Sequence, residues 1–255
     1  RARDVMGKAA DWAFTKRFRR GGFGWRASRL AGERIAEAMA EINAVARRDP
    51  LHAADGAVRF LVKLSPALEQ VDSSSGALGS AARAAVDVLV PVIAQAPANE
   101  AMREKWLEQL FEAIQNDDPP YLELLDERWG EVCATPQVAS RWADRLMDLV
   151  RQVHASRRRG QFAFTRAESA CYSALFAAGR HDELIALIGS DPRPSWHDLL
   201  WVGRCKVARG EIDGAIEFMA NAVNPWTPMA GLARFAEGVL LQAGRRSEAY
   251  EKYAL

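Results

Sequence analysis

The stretch KRFRRGGFGWR at positions 16–26 interleaves arginines with Phe18, Phe23 and Trp25. Guanidinium groups neutralise phosphates, and aromatic rings set between them stack on unpaired bases. Arg17, Arg19, Arg20, Trp25 and Arg26 are therefore the candidate nucleic-acid contacts, joined by Arg157, Arg158 and Arg159 in SRRRGQ at 156–161. Each segment also has a plainer reading, which we prefer. In the first, cations end a helix where they favour its dipole, glycines turn the chain, and the aromatics fill a core layer. In the second, a short basic linker stays in water.

Other chemistries lack their spacing. There is no C-x₂-C, H-x₃-H or H-E-x-x-H, and His52, His154, His181 and His197 are far apart in sequence, so no metal site is expected. A G-x-S-x-G elbow is missing, and Gly7-Lys8 lacks the remainder of a phosphate loop. Acidic pairs such as Asp117-Asp118 read as helix caps. No enzyme activity and no cofactor are expected. Cys133, Cys171 and Cys205 are odd in number and lie inside helical patterns, which fits buried free thiols in a reducing compartment.

A chain of 255 residues, 49% apolar, buries a sizeable core, and a net charge of +1 supplies no global field toward nucleic acid or membrane. No unbroken run of 18 apolar residues and no signal-peptide core occur, so a cytoplasmic location is expected. The first residue is Arg1 and the last helical pattern is still being written at Leu255, so a piece of a longer protein is expected. Charge is nevertheless segregated. Residues 1–34 hold ten Lys or Arg against three acids, and residues 100–131 hold ten acids against three bases. These blocks either dock on one another or face separate partners.

Positioning elements are helical throughout. Hairpin signals are absent and β-branched residues sparse. Helices are expected over about 3–19, 28–48, 51–71 with Pro66 inside, up to Ala94 with a bend near Pro91, and 99–115. Asp118-Pro119 opens a short helix that Trp129-Gly130 closes, and Thr135-Pro136 opens another over 136–154 with Val138, Trp142, Leu146, Leu149 and Val153 as its buried stripe. Trp106, Trp129, Trp142 and Trp196 read as core, and Trp226 as packed under the next helix. Eleven or twelve helices and no sheet result, an all-α chain. It divides into a basic helix and turn (1–27), a helical region (28–155), a basic linker (156–163) and a repetitive block (164–255).

That block repeats itself around Gly179, Gly210 and Gly244, spaced 31 and 34 residues apart. Each glycine precedes a polar turn, a helix-starting residue (Asp182, Asp213, Ser247) and apolar positions at helical spacing (Leu184 and Ile188, Ala215 and Met219, Ala249 and Tyr253). The pattern describes helical hairpins closed by a left-handed C-cap, and Ser195-x-x-Asp198 opens the second hairpin as a capping box. Units of this length bury their cores against neighbours.

Residue by residue, the block resembles tetratricopeptide repeats, with the last repeat truncated. Val202-Gly203 stands at the family's Leu-Gly pair, Gly210 at its turn, and Ala215, Phe218 or Met219, and Ala222 at its small and aromatic positions, with Pro225 and Pro228 closing the unit. Leu199 and Lys206 depart from the family's tryptophan and tyrosine. Residues 20–190 also look like an uncharacterised family of bacterial helical proteins, through GGFGWRASRLAGE, ALEQVDSSSGALG and CYSALFAAGRHDELIALI. The tetratricopeptide resemblance implies an α-solenoid whose inner helices form a groove for another protein or peptide. By register, that groove takes Arg166, Ser169, Ser173, Phe176, His197, Arg204, Val207, Arg234, Leu241 and Gln242. Its cationic residues, above all Arg166, Arg204 and Arg234, suit an acidic or C-terminal-carboxylate ligand. A non-enzymatic interaction scaffold is therefore the expected function, and a nucleic-acid-associated regulatory module the alternative.

Overall fold

The computed structural model describes residues 12–253, and the expectations placed on residues 1–11 lie outside them. Among the described residues there are thirteen α-helices, one 3₁₀ turn and no strand. Two compact units divide inside one helix, residues 1–139 and residues 140–255.

In the first unit, α1 (Ser28–Ala46), α2 (Pro50–Leu68) and α3 (Ala77–Gln95) pack on one another, α4 (Glu100–Gln115) packs on α2, and the short α5 (Glu123–Glu127) and α6 (Trp129–Val132) pack on α3. Side-chain caps set two of the starts: Asp49 accepts from the His52 amide, with Pro50 in the first turn, and Asn99 accepts from Met102. Pro66 and Pro91 both sit inside their helices. α3 is long and apolar enough by composition to cross a membrane. Arg83 and Asp87 interrupt its apolar run, and Leu78, Val86, Leu89 and Ile93 are buried.

Three expectations fail here for local reasons. Among the described residues before the glycine turn only Ala13–Lys16 is helical, as 3₁₀, and Phe14 and Phe18 are driven into the core beside Phe60. Asp118-Pro119 opens no helix. Asp117, buried, instead accepts from the amides of Tyr121 and Leu122 and turns the chain toward α5. Trp129-Gly130 begins α6 rather than ending a helix.

The second unit begins within α7 (Pro136–Arg158), which runs into the first three residues of the expected linker. Val150 takes the buried position assigned to Leu149, which is 42% exposed. Three hairpins follow: α8 (Ala167–Ala177) with α9 (His181–Gly189), α10 (Trp196–Ala208) with α11 (Ile212–Asn221), and α12 (Gly231–Gln242) with α13 (Arg246–Tyr253). α10 packs on α8, α9 and α11, and α11 packs on α12. Each hairpin turns in the same way. Gly179, Gly210 and Gly244 have φ of 73°, 80° and 75°, and the amide after each glycine reaches back to Leu175, Lys206 or Leu240.

Ser195 and Asp198 form the full capping box that opens α10. Asp182 and Asp213 are not N-caps. The glycine turn starts the next helix one residue earlier than they stand, so both lie in the first turn and face arginines of the next hairpin, Arg209 at 2.6 Å and Arg245 at 2.7 Å. Trp226 is 91% exposed on the loop before α12 rather than packed, because Trp196 already lies against Gly231.

Candidate functional site

α10 and α12 each present one face to a cleft of about 400 Å³ inside the second unit. Phe176, Val207, Phe235 and Val239 supply apolar wall, and Arg204, Arg234 and Gln242 supply donors. Small residues make the space. Gly238 leaves its stretch of α12 without a side chain, and Gly203 lets Phe235 approach so closely that a Cβ there would lie 2.9 Å from its ring. Arg204 Cζ lies over Trp201, 4.4 Å from the ring centre, and Trp201 tilts against Phe176. Stacking of this kind restrains the guanidinium at the cleft. Arg234 is exposed, and its side chain makes no hydrogen bond or ion pair among the described residues.

Five of the ten groove residues read from the sequence therefore line one cleft: Phe176, Arg204, Val207, Arg234 and Gln242. The others do not line it. Arg166 is the N-cap residue at the far end of α8, and Ser169 is half-buried one turn on. Ser173 is buried, because α8 is enclosed on nearly all sides. His197 is exposed in the first turn of α10, and Leu241 is 48% exposed. Of the three groove arginines, Arg204 and Arg234 line the cleft and Arg166 does not.

The basic arm is taken up largely by its own unit. Arg17 pairs with Glu37 at 2.6 Å and Arg20 with Glu69 at 3.2 Å, both acids lying outside the 100–131 block. Phe18 and Phe23 are core, edge-on to one another, while Trp25 is 66% exposed, and Arg19 and Arg26 are exposed too. In the second unit, Arg159 is exposed and bonds Ser156 and Gln161 locally. Arg158 donates to the Ser190 carbonyl.

Arg157 corrects the solvated-loop expectation. Because α7 continues to Arg158, its last turn points Arg157 at Glu168 of α8 and at Asp191 just beyond α9. Nη1 bonds Glu168 Oε1 at 2.8 Å and Asp191 Oδ2 at 2.5 Å, Nη2 bonds Glu168 Oε2 at 2.8 Å, and Nε bonds the Ala163 carbonyl. Burial works against its charge, and the bonds to Glu168 and Asp191 more than offset that and hold the guanidinium protonated.

His154, one turn earlier and fully buried, completes a group the sequence did not reveal. Its Nε2 stands 3.0 Å from Glu168 Oε1, 3.6 Å from Asp191 Oδ2 and 3.1 Å from the Tyr172 hydroxyl, and its Nδ1 lies 3.0 Å from Ser190 Oγ. Burial raises the Tyr172 phenol far above its ordinary value, so it stays neutral. Burial, with the nearby charges of Glu168 and Asp191, also raises Asp198, partly countered by its bonds with Ser195. His154, Glu168 and Asp191 are the described residues whose ligand atoms come close enough together to hold a metal ion. They lie 14 and 23 residues apart on three elements, so no short motif announces them.

Comparison with protein-family models, with curated proteins and with solved structures gives no match for this chain.

Proposed function

We propose that this chain is a non-enzymatic protein-interaction module, a helical-repeat array of the tetratricopeptide type. Its second unit takes the carboxylate of an acidic or C-terminal peptide between Arg204 and Arg234. Support comes from three hairpins closed by one shared turn geometry and packed in succession. The observation that carries the ligand class is the pair of guanidinium groups, from α10 and α12, on one apolar-walled cleft. Charge-assisted bonds to a carboxylate contribute about 1.5–3 kcal/mol each where water is excluded and far less where it is not. The walls of Phe176 and Phe235 exclude part of that water.

Fluorescence anisotropy with a library of short acidic peptides, each made with a free and an amidated C-terminus, tests this. Free-carboxylate peptides bind more tightly, and Arg204→Ala with Arg234→Ala removes the difference without changing helicity. Binding that is indifferent both to amidation and to the double substitution refutes the proposal. One observation favours a second reading, nucleic-acid contact: Trp25 stands exposed next to Arg26, in the segment that also carries the exposed Arg19. Salt-dependent binding of single-stranded RNA that Trp25→Ala and Arg26→Ala abolish identifies that function instead.

A further inference from the structure

We propose that His154, Glu168 and Asp191 form a site for one divalent transition-metal ion, of which Zn²⁺ fits best. The distances suit it. With bonds of about 2.0–2.1 Å, a tetrahedral ion holds its ligand atoms about 3.3–3.4 Å apart. The Nε2 distances to Glu168 Oε1 and Asp191 Oδ2, 3.0 Å and 3.6 Å, bracket that edge.

The histidine is also set in the orientation a ligand needs. Ser190 Oγ has one proton and donates it to the Leu187 carbonyl at 2.7 Å, so toward His154 it accepts. Nδ1 therefore carries a hydrogen, and Nε2 is the nitrogen that faces the two carboxylates and would bind the ion, giving up any proton it holds there. A metal-bound histidine is fixed in this way, its second nitrogen donating to an outer partner.

Charge points the same way. Three carboxylates, Glu168, Asp191 and Asp198, share this part of the second unit with one bonded guanidinium, Arg157. Buried charge without compensation is costly. A dication supplies what Arg157 alone does not.

Arg157 is the competitor and marks the way in. Its Nη1 bonds the same two oxygens that the ion takes, yet its side chain is 20% exposed whereas those of His154 and Asp191 are 0% and 2%. The guanidinium can withdraw toward water as the ion enters, leaving three protein ligands with the neutral Tyr172 hydroxyl beside the fourth position. A purely structural ion-pair cluster would instead depend on Arg157.

Chelator-treated whole chain, titrated with Zn²⁺ by calorimetry and with Co²⁺ by visible absorption, decides between the two. The expected result is one ion per chain, a tetrahedral Co²⁺ spectrum and a Tm raised by Zn²⁺. Asp191→Asn weakens binding at least about tenfold, and His154→Ala abolishes it. Arg157→Gln tightens it severalfold, while substitution of His52, His181 and His197 together changes nothing. Should His154→Ala fail to fold, Asp191→Asn and Arg157→Gln carry the test. A wild-type chain that takes up no ion at micromolar Zn²⁺ overturns the proposal. So does a folded Asp191→Asn variant with unchanged affinity, or an Arg157→Gln variant that binds more weakly.

Discussion

Gly203 is the position where one added methyl group tests the packing around the cleft most directly. In an open helix interior, Gly→Ala stabilises by about 0.8–1.0 kcal/mol through backbone propensity. At Gly203 the new Cβ would stand 2.9 Å from Phe235 Cζ and 3.1 Å from both Cγ and Sδ of Met219. Met219 is fully buried and cannot retreat without opening a void, so the methyl group overpacks the seam between α10, α11 and α12. Overpacking costs about 1–3 kcal/mol. The net expectation for Gly203→Ala is a loss of about 1 kcal/mol. Gly238→Ala is the matched control, since its Cβ meets nothing within 4 Å, and it should gain about 1 kcal/mol. Urea unfolding followed by circular dichroism measures both, with equal m-values required for the comparison. Adding Phe235→Leu should cost less in the Gly203→Ala background than in the wild type, a coupling of about 1 kcal/mol in a double-mutant cycle. Because Phe235 also walls the cleft, Gly203→Ala should weaken peptide binding. A Gly203→Ala chain as stable as the Gly238→Ala control, or an additive cycle, refutes the reasoning.

Arg103, buried, donates to the carbonyls of Ile93, Ala94, Ala96 and Val132, capping the end of α3. Arg103→Met should therefore cost about 3–5 kcal/mol, read by chemical denaturation, because the carbonyls lose their donors. At Gly210, where φ is 80° and no atom crowds the position, Val should cost more than the ~1–2 kcal/mol of left-handed strain, while Asn should cost less than Val. The thiol of Cys171 is pushed up to about 12 and that of Cys205 to about 11, in both chiefly by burial. An unfolded thiol ionises near 9, so the folded chain holds protons that the unfolded chain releases. Stability from these groups is complete below about 9 and falls as pH rises from 9 toward 12, and a pH series of urea midpoints, compared with Cys171→Ala, checks it.

The helices were legible because their signals are local. The approximate spans of α1, α2, α3 and α4 follow from apolar spacing and from the glycine turns, while Asp49 and Asn99 emerge as caps only in the structure. Where caps compete, sequence misleads. Asp117 and Asp118 are neighbours, and only the fold decides that Asp117 turns inward to bond two amides. Half of the cleft was legible for a related reason. Register along a repeating hairpin assigns Arg204 and Arg234 to one side, but it carries no information on how enclosed α8 is, so Ser173 and Arg166 were misplaced. The His154 cluster was illegible in principle. Its members come from α7, α8 and the loop after α9, and their meeting depends on α7 continuing into a segment whose RRRG composition reads as a break.

The pairs Arg209–Asp182 and Arg245–Asp213 give the middle hairpin two unlike edges. The α10/α11 hairpin offers Arg209 backward to α9 and Asp213 forward to α13. These bonds are exposed and add little stability, but they work as a plug and a socket on this one hairpin. A hairpin copied in tandem would present a plug to its parent's socket and a fresh socket to whatever comes next. Gene duplication can thus lengthen or shorten such a chain by whole hairpins without inventing a new joint, and changes of any other length leave a plug without its socket.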